Sequence, residues 1–150
     1  MTRTLADLPR FQQVLVPFDM SKHAEQALAE AVDLVAPGGH LHLVHVLERV
    51  DLSTPMLVWP TPEDEPRRRH ARRLLADIQP PGATSHVLIG DPATQILRYA
   101  DEAFPDLIVM STHGRTGLKH LLLGSVAEKV IRLASCPVLV VKPTAMGSLD

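Results

Sequence analysis

Short runs of apolar, largely β-branched residues alternate along the chain with segments whose apolar positions recur every three to four residues, and Gly or Pro marks each change. The runs at 14–18, 41–46, 85–89, 107–110 and Val138–Val141 read as strands. The first helical pattern, 21–36, puts Ala24, Ala27, Leu28, Ala31, Leu34 and Val35 on one stripe, and Pro37-Gly38-Gly39 is expected to stop it. A second begins at Thr61-Pro62, a good cap followed by a residue suited to the first helical position. It runs to about residue 78 with Ala71, Leu74, Leu75 and Ile78 turned inward, until Pro80-Pro81-Gly82 breaks it. Asp91-Pro92 opens a third helix bearing Ile96, Leu97, Ala100 and Ala103, which ends near Phe104-Pro105. Ser125 and Glu128 have the spacing of a capping box and start a fourth. Residues 47–60, with Pro55 and Pro60, lack periodicity and read as a loop.

Strands alternating with helices predict an α/β fold, a doubly wound five-stranded parallel sheet joined by right-handed crossovers with helices on both faces. The continuous apolar runs suit a sheet covered on both sides. Strand order does not follow from the pattern alone. Where strand one neighbours a later strand, however, a switch point opens a crevice at the carboxyl ends. If that neighbour is strand four, the loops after strands one and four share the crevice, and these loops hold the most unusual residues of the chain.

Composition narrows the function. At 150 residues the chain is expected to be one domain, with an arm over 1–12 and a tail over 144–150. A formal charge of −2 provides no broad positive field for a nucleic-acid backbone, and one Trp, one Tyr and three Phe are too few for a base-stacking platform. No apolar stretch approaches the ~20 residues that span a bilayer, and the N-terminus has no signal-peptide core. Cys136 stands alone, which excludes an internal disulfide and a cysteine-based zinc site. A cytoplasmic location without membrane or nucleic-acid partners is expected.

In the first loop, Pro17-Phe18-Asp19-Met20-Ser21, Asp19 can accept hydrogen bonds from ribose hydroxyls or a base amine. It can equally, with Ser21, do no more than cap the first helix. The fourth loop reads Ser111-Thr112-His113-Gly114-Arg115-Thr116-Gly117, then 118–123, then Gly124-Ser125. A helix start offers free amides and partial positive charge to an anion. Gly114 and Gly124 allow close approach to phosphate oxygens, Ser125 adds a hydroxyl, and His113 and Arg115 are further donors. Alternatively the glycines shape a turn and Ser125 starts a helix. Neither a Walker loop nor a G-x-G-x-x-G segment is present.

The stretches VLVPFDMSKHAEQAL and DLIVMSTHGRTGLKHLLLGSVAEKVIRLASCPVLVVKP resemble the universal stress protein family, and the likeness covers nearly the whole chain. Nucleotide-binding members share G-x2-G-x9-G-[S/T]; Gly114, nine intervening residues, Gly124 and Ser125 fit its second half, while Ser111 replaces the first glycine. The resemblance implies strand order 3-2-1-4-5 and an adenine nucleotide, ATP or AMP, with Mg²⁺ as an optional companion. It implies adenine near Pro17, Phe18, Asp19 and Val46, and ribose near Asp19. Phosphates would meet Gly114, Gly124, Ser125 and Val126, with Met110 and Ser111 along the edge. Phe18 stands where many relatives carry Thr, and a positive φ at Ser111 would cost about 1–2 kcal/mol. The resemblance also implies a homodimer through strand Val138–Val141, which would otherwise be an apolar edge.

The function expected is a stress-response module whose nucleotide occupancy sets conformation or partner choice. The alternatives are a slow ATPase in the same pocket, for which no paired acid cluster is visible, and a stress protein acting through protein partners without nucleotide. A phosphoacceptor domain, suggested by Asp91, Ser111-Thr112 and Lys142-Pro143, lacks a second carboxylate beside Asp19. His40, His42 and His45 share strand two without an evident third ligand and are read as structural. The arginines at 67, 68, 69, 72 and 73 read as a solvated basic face, and Cys136 as a small apolar residue.

Overall fold

A computed structural model describes residues 10–49, 62–112 and 123–143. Its strands are β1 (Phe11–Pro17), β2 (Val35–Leu47), β3 (Thr84–Ile89), β4 (Leu107–Ser111) and β5 (Val138–Val141). Its helices are α1 (Lys22–Leu34), α2 (Glu65–Ile78), α3 (Pro92–Ala103) and α4 (Ser125–Leu133). All pairings are parallel, and the order is β3-β2-β1-β4-β5, as the resemblance implied.

Strand periodicity divides the core between the two sheet faces. Val14 and Val16 of β1, Leu41 and Leu43 of β2, and Leu107 and Val109 of β4 join Ala27, Leu28 and Ala31 of α1 and Leu75 of α2. The intervening Leu15, Val44, Ile108 and Met110 join Ala93 and Ile96 of α3 and Ala127 and Val130 of α4. The central stretches of β1 (Val14 to Val16) and β4 (Leu107 to Met110) are therefore apolar on both sides because helices cover both sheet faces. Deleting a fully buried side chain such as Leu15 or Leu75 should cost about 2–5 kcal/mol.

Several boundaries depart from the sequence reading. β1 takes in Phe11 and Gln12, ahead of the expected start, because Phe11 pairs with Val35. α1 stops at Leu34 rather than 36, since the residue before Pro37 is pushed away from helical backbone. The chain then makes an excursion at 36–39, with Gly38 at φ +78°, and pairing resumes at Gln13 with His40. Leu74 is 40% exposed, so the buried face of α2 is narrower than expected, and Ile78 is half-buried. A 3₁₀ turn, Pro62–Asp64, precedes α2, and Asp64 rather than Thr61 occupies its cap position; Thr61 lies outside the described residues.

α3 begins as expected. Asp91 accepts from the Thr94 amide at 3.0 Å, and the chain leaves the helix through Phe104 in the left-handed region, φ +50°. α4 does not form the expected capping box. Gly124 is the cap, Ser125 is already the first helical residue, and Glu128 pairs with Arg132 at 3.2 Å instead of reaching back.

Candidate functional site

β1 lies between β2 and β4, so the carboxyl ends of these strands diverge into a crevice at the switch point. The crevice encloses about 450 Å³ and is lined by Pro17, Phe18, Asp19, Val46, Met110, Ser111, Gly124, Ser125 and Val126. The two loops singled out in the sequence thus meet at one cleft. His113, Gly114 and Arg115 lie outside the described residues.

The β1 side is held by a chain of short-range contacts. Met20 adopts φ +67°, and this turn lets the Ser21 amide reach the Asp19 carboxylate at 3.0 Å. The Ser21 hydroxyl donates to the same carboxylate oxygen and accepts from the Ala24 amide at 3.1 Å. Ser21 is therefore the α1 cap, and Asp19 steadies it while lining the crevice. A left-handed Met costs about 1 kcal/mol, a strain that marks the loop as a place to look for function. Phe18 is only 3% exposed and belongs to the core under α1, so the aromatic ring expected near adenine is largely spent on packing. Its amide donates to Val44 O at 2.7 Å, and its carbonyl accepts from Nδ1 of the buried His45, also at 2.7 Å. A carbonyl only accepts, so the proton of His45 sits on Nδ1.

On the far side, the Gly124 amide donates to Thr112 O at 2.7 Å and fixes the start of α4 against the end of β4. Gly124, Ser125, Val126 and Ala127 form the crevice wall there. The first helical amides, with no preceding turn to bond, supply donors and partial positive charge. Oγ1 of Thr112, also a lining residue, is buried with no hydrogen-bond partner among the described residues. Ser111 carries no left-handed backbone; among the described non-glycine residues only Met20 and Phe104 do. Replacing glycine by serine therefore strains nothing in the strand.

Lining residues that sequence reasoning missed are Val44, His45, Leu47, Glu48, Arg67, Pro92, Ile96, Thr112 and Ala127. His45 and Thr112 adjoin residues already singled out, so a wider window would have found them. Arg67 comes from α2, read as a solvated face, and nothing in its local sequence points to the crevice. Its Nη2 donates to Glu48 O at 3.2 Å.

The strand histidines His40, His42 and His86 sit on the α3 face. His42 lies between Tyr99 Oη and Gln13 Oε1, each at 2.9 Å, so both ring nitrogens are engaged. His40 meets Thr84 Oγ1 at 2.9 Å, and no group of metal-binding residues forms among the described residues. Burial, then the neighbouring His40 and His86, lower the pKa of His42; burial, then His40, lower that of His86. Cys136 is half-buried against the α3–α4 core, and burial, followed by Asp106, raises its thiol pKa, so its reactive thiolate is disfavoured.

Fold and cleft define a class: a parallel α/β domain with an anion-ready helix start and an acidic loop at the switch point. Residues 10–142 match the universal stress protein family, and the chain belongs to it. It is 33% identical over 147 residues to universal stress protein YxiE of Bacillus subtilis, covering 88% of this chain and 99% of that one. A match at 57% identity to universal stress protein MJ0531 of Methanocaldococcus jannaschii spans 58 residues, 39% of this chain and 34% of that protein. Among solved structures, MJ0577 superposes with a TM-score of 0.65 at 29% identity, covering 89% of this chain and 97% of that one. A universal stress protein in complex with cAMP gives 0.61 at 23% identity, covering 89% and 98%, and shows the shared fold. Among the described residues no helix is long and apolar enough to cross a membrane.

Proposed function

We propose that the crevice binds an adenine nucleotide, ATP or AMP, and that the protein works in the stress response as a nucleotide-occupied homodimer. The observation that carries this reading is the convergence of Asp19 and the first turn of α4 on one cleft. At about 450 Å³ the cleft falls within the size range of small-molecule sites, roughly 300–1,000 Å³. The residues present fit the ligand. Phosphate oxygens find amides at Ser125 and Val126, with the Gly124 backbone allowing close approach, and ribose hydroxyls find the Asp19 carboxylate. Val44, Val46 and Leu47 offer the base an apolar bed, and the Thr112 hydroxyl, without a partner among the described residues, is a further polar group for a ligand to satisfy. Mg²⁺, where present, arrives with the triphosphate it already coordinates.

The dimer reading is supported by the position of β5 at the end of the sheet, with Leu139 39% exposed on it. Pairing with a second copy would remove that apolar edge. Protein purified from cells and then denatured should release AMP or ATP, identified by mass spectrometry. If the protein is stripped of small molecules and still takes up neither nucleotide on re-exposure, the reading is wrong.

A further inference from the structure

We propose that Arg67 covers the exposed face of the bound base, its guanidinium lying flat on the purine; the proposal rests on the nucleotide reading above. The crevice has two sides. The α4 start lies on the β4 side of β1, so a nucleotide with phosphates there directs its base across β1 toward β2. That side contributes Val44, Val46 and Leu47, with Glu48 and Arg67 at the rim. An apolar bed covers one face of a purine and leaves the other to water.

Arg67 is positioned for that second face. It stands in the first turn of α2, Nη2 bonded to Glu48 O at 3.2 Å and Nη1 4.0 Å from Asp64 Oδ1. Asp64 is buried and also pairs with Arg49 at 3.4 Å. The guanidinium edge is thus tied to the end of β2 and the start of α2, while the side chain remains 52% exposed beside the crevice. Among the described arginines of α2, it alone lines this cleft. A guanidinium is planar and weakly hydrated, and stacks on π systems. Approaching edge-on it offers only donors, which satisfy purine N7 but oppose the adenine amino group; lying face-on it avoids that conflict. Because the phosphates gather at α4 on the far side, Arg67 acts on the base rather than on phosphate charge.

The test compares adenosine, AMP and ATP binding by calorimetry to wild type, Arg67→Ala and Arg67→Lys, with circular dichroism confirming that each variant is folded. Arg67→Ala should weaken all three ligands by the same factor, about five- to tenfold. Arg67→Lys, which keeps the charge and loses the plane, should resemble the alanine variant. A loss that grows from adenosine to AMP to ATP, with recovery in the lysine variant, would make Arg67 a phosphate-attracting charge and overturn the stacking proposal. Unchanged affinity in both variants would place Arg67 outside the ligand's reach and overturn it too. A wild type that binds none of the three defeats the nucleotide reading itself, and the proposal with it.

Discussion

Gly124 separates folding from binding at a single residue. Its backbone, φ −61° and ψ 155°, is open to any amino acid, so glycine is not needed there for conformation. On the proposed nucleotide reading, what glycine provides at that cap is close approach of the ligand to the α4 amides. Gly124→Ala should therefore change stability by no more than about 1 kcal/mol, cap preference and chain entropy offsetting one another. Nucleotide affinity should fall at least tenfold. Thermal melting beside calorimetry checks both parts. Asp19 divides its work differently. Asp19→Asn keeps an oxygen that can accept from Ser21, so melting should hold while ribose recognition weakens. Asp19→Ala loses both, with about 1 kcal/mol of cap support gone. Equal melting of all three proteins would show that the link from Asp19 to the α1 cap contributes nothing.

Among the elements, β2 and β3 carry a pH dependence. The His40 and His42 rings lie 4.7 Å apart, and Tyr99 of α3 touches both His42 and His86. Lowered pKa values mean that the unfolded chain binds more protons than the folded one between the folded values and about 6.5. Stability is therefore complete above that window and is lost as pH falls through it. Melting temperature should fall as pH drops below about 6.5, and His86→Gln should flatten the slope, since it removes one titrating ring and its charge from His42. An unaltered slope would place the acid sensitivity elsewhere. Elements were also where the sequence was most readable. Val14-Leu15-Val16 and Leu107-Ile108-Val109 announce buried parallel strands, and Asp91-Pro92 announces a helix start, because each depends on local chemistry. The missed boundaries have other partners: Val35 is drawn into β2 by the distant Phe11, and Glu128 leaves its capping spacing for a competing local partner, Arg132, one turn on. The candidate site was legible on β1, β4 and α4, where the lining residues cluster in sequence. Arg67 was not, because only tertiary folding carries α2 to the end of β2.

For the whole molecule, the sheet ends in β5, and its exposed Leu139 offers a clean test of assembly. Leu139→Arg puts charge on a residue already partly solvated in the single chain, so the protomer should stay folded while the proposed dimer dissociates in sedimentation. A variant that sediments as wild type would remove β5 from the interface. The central claim is that one crevice, built where β1 meets β2 and β4, holds an adenine nucleotide. Its most direct measurement is a calorimetric titration of ATP and AMP into nucleotide-free wild type and Gly124→Ala in parallel. Wild type should bind at one site per chain with micromolar affinity, and the folded variant should show a marked loss. Absence of heat from wild type with either nucleotide, or full affinity in Gly124→Ala, would contradict that claim.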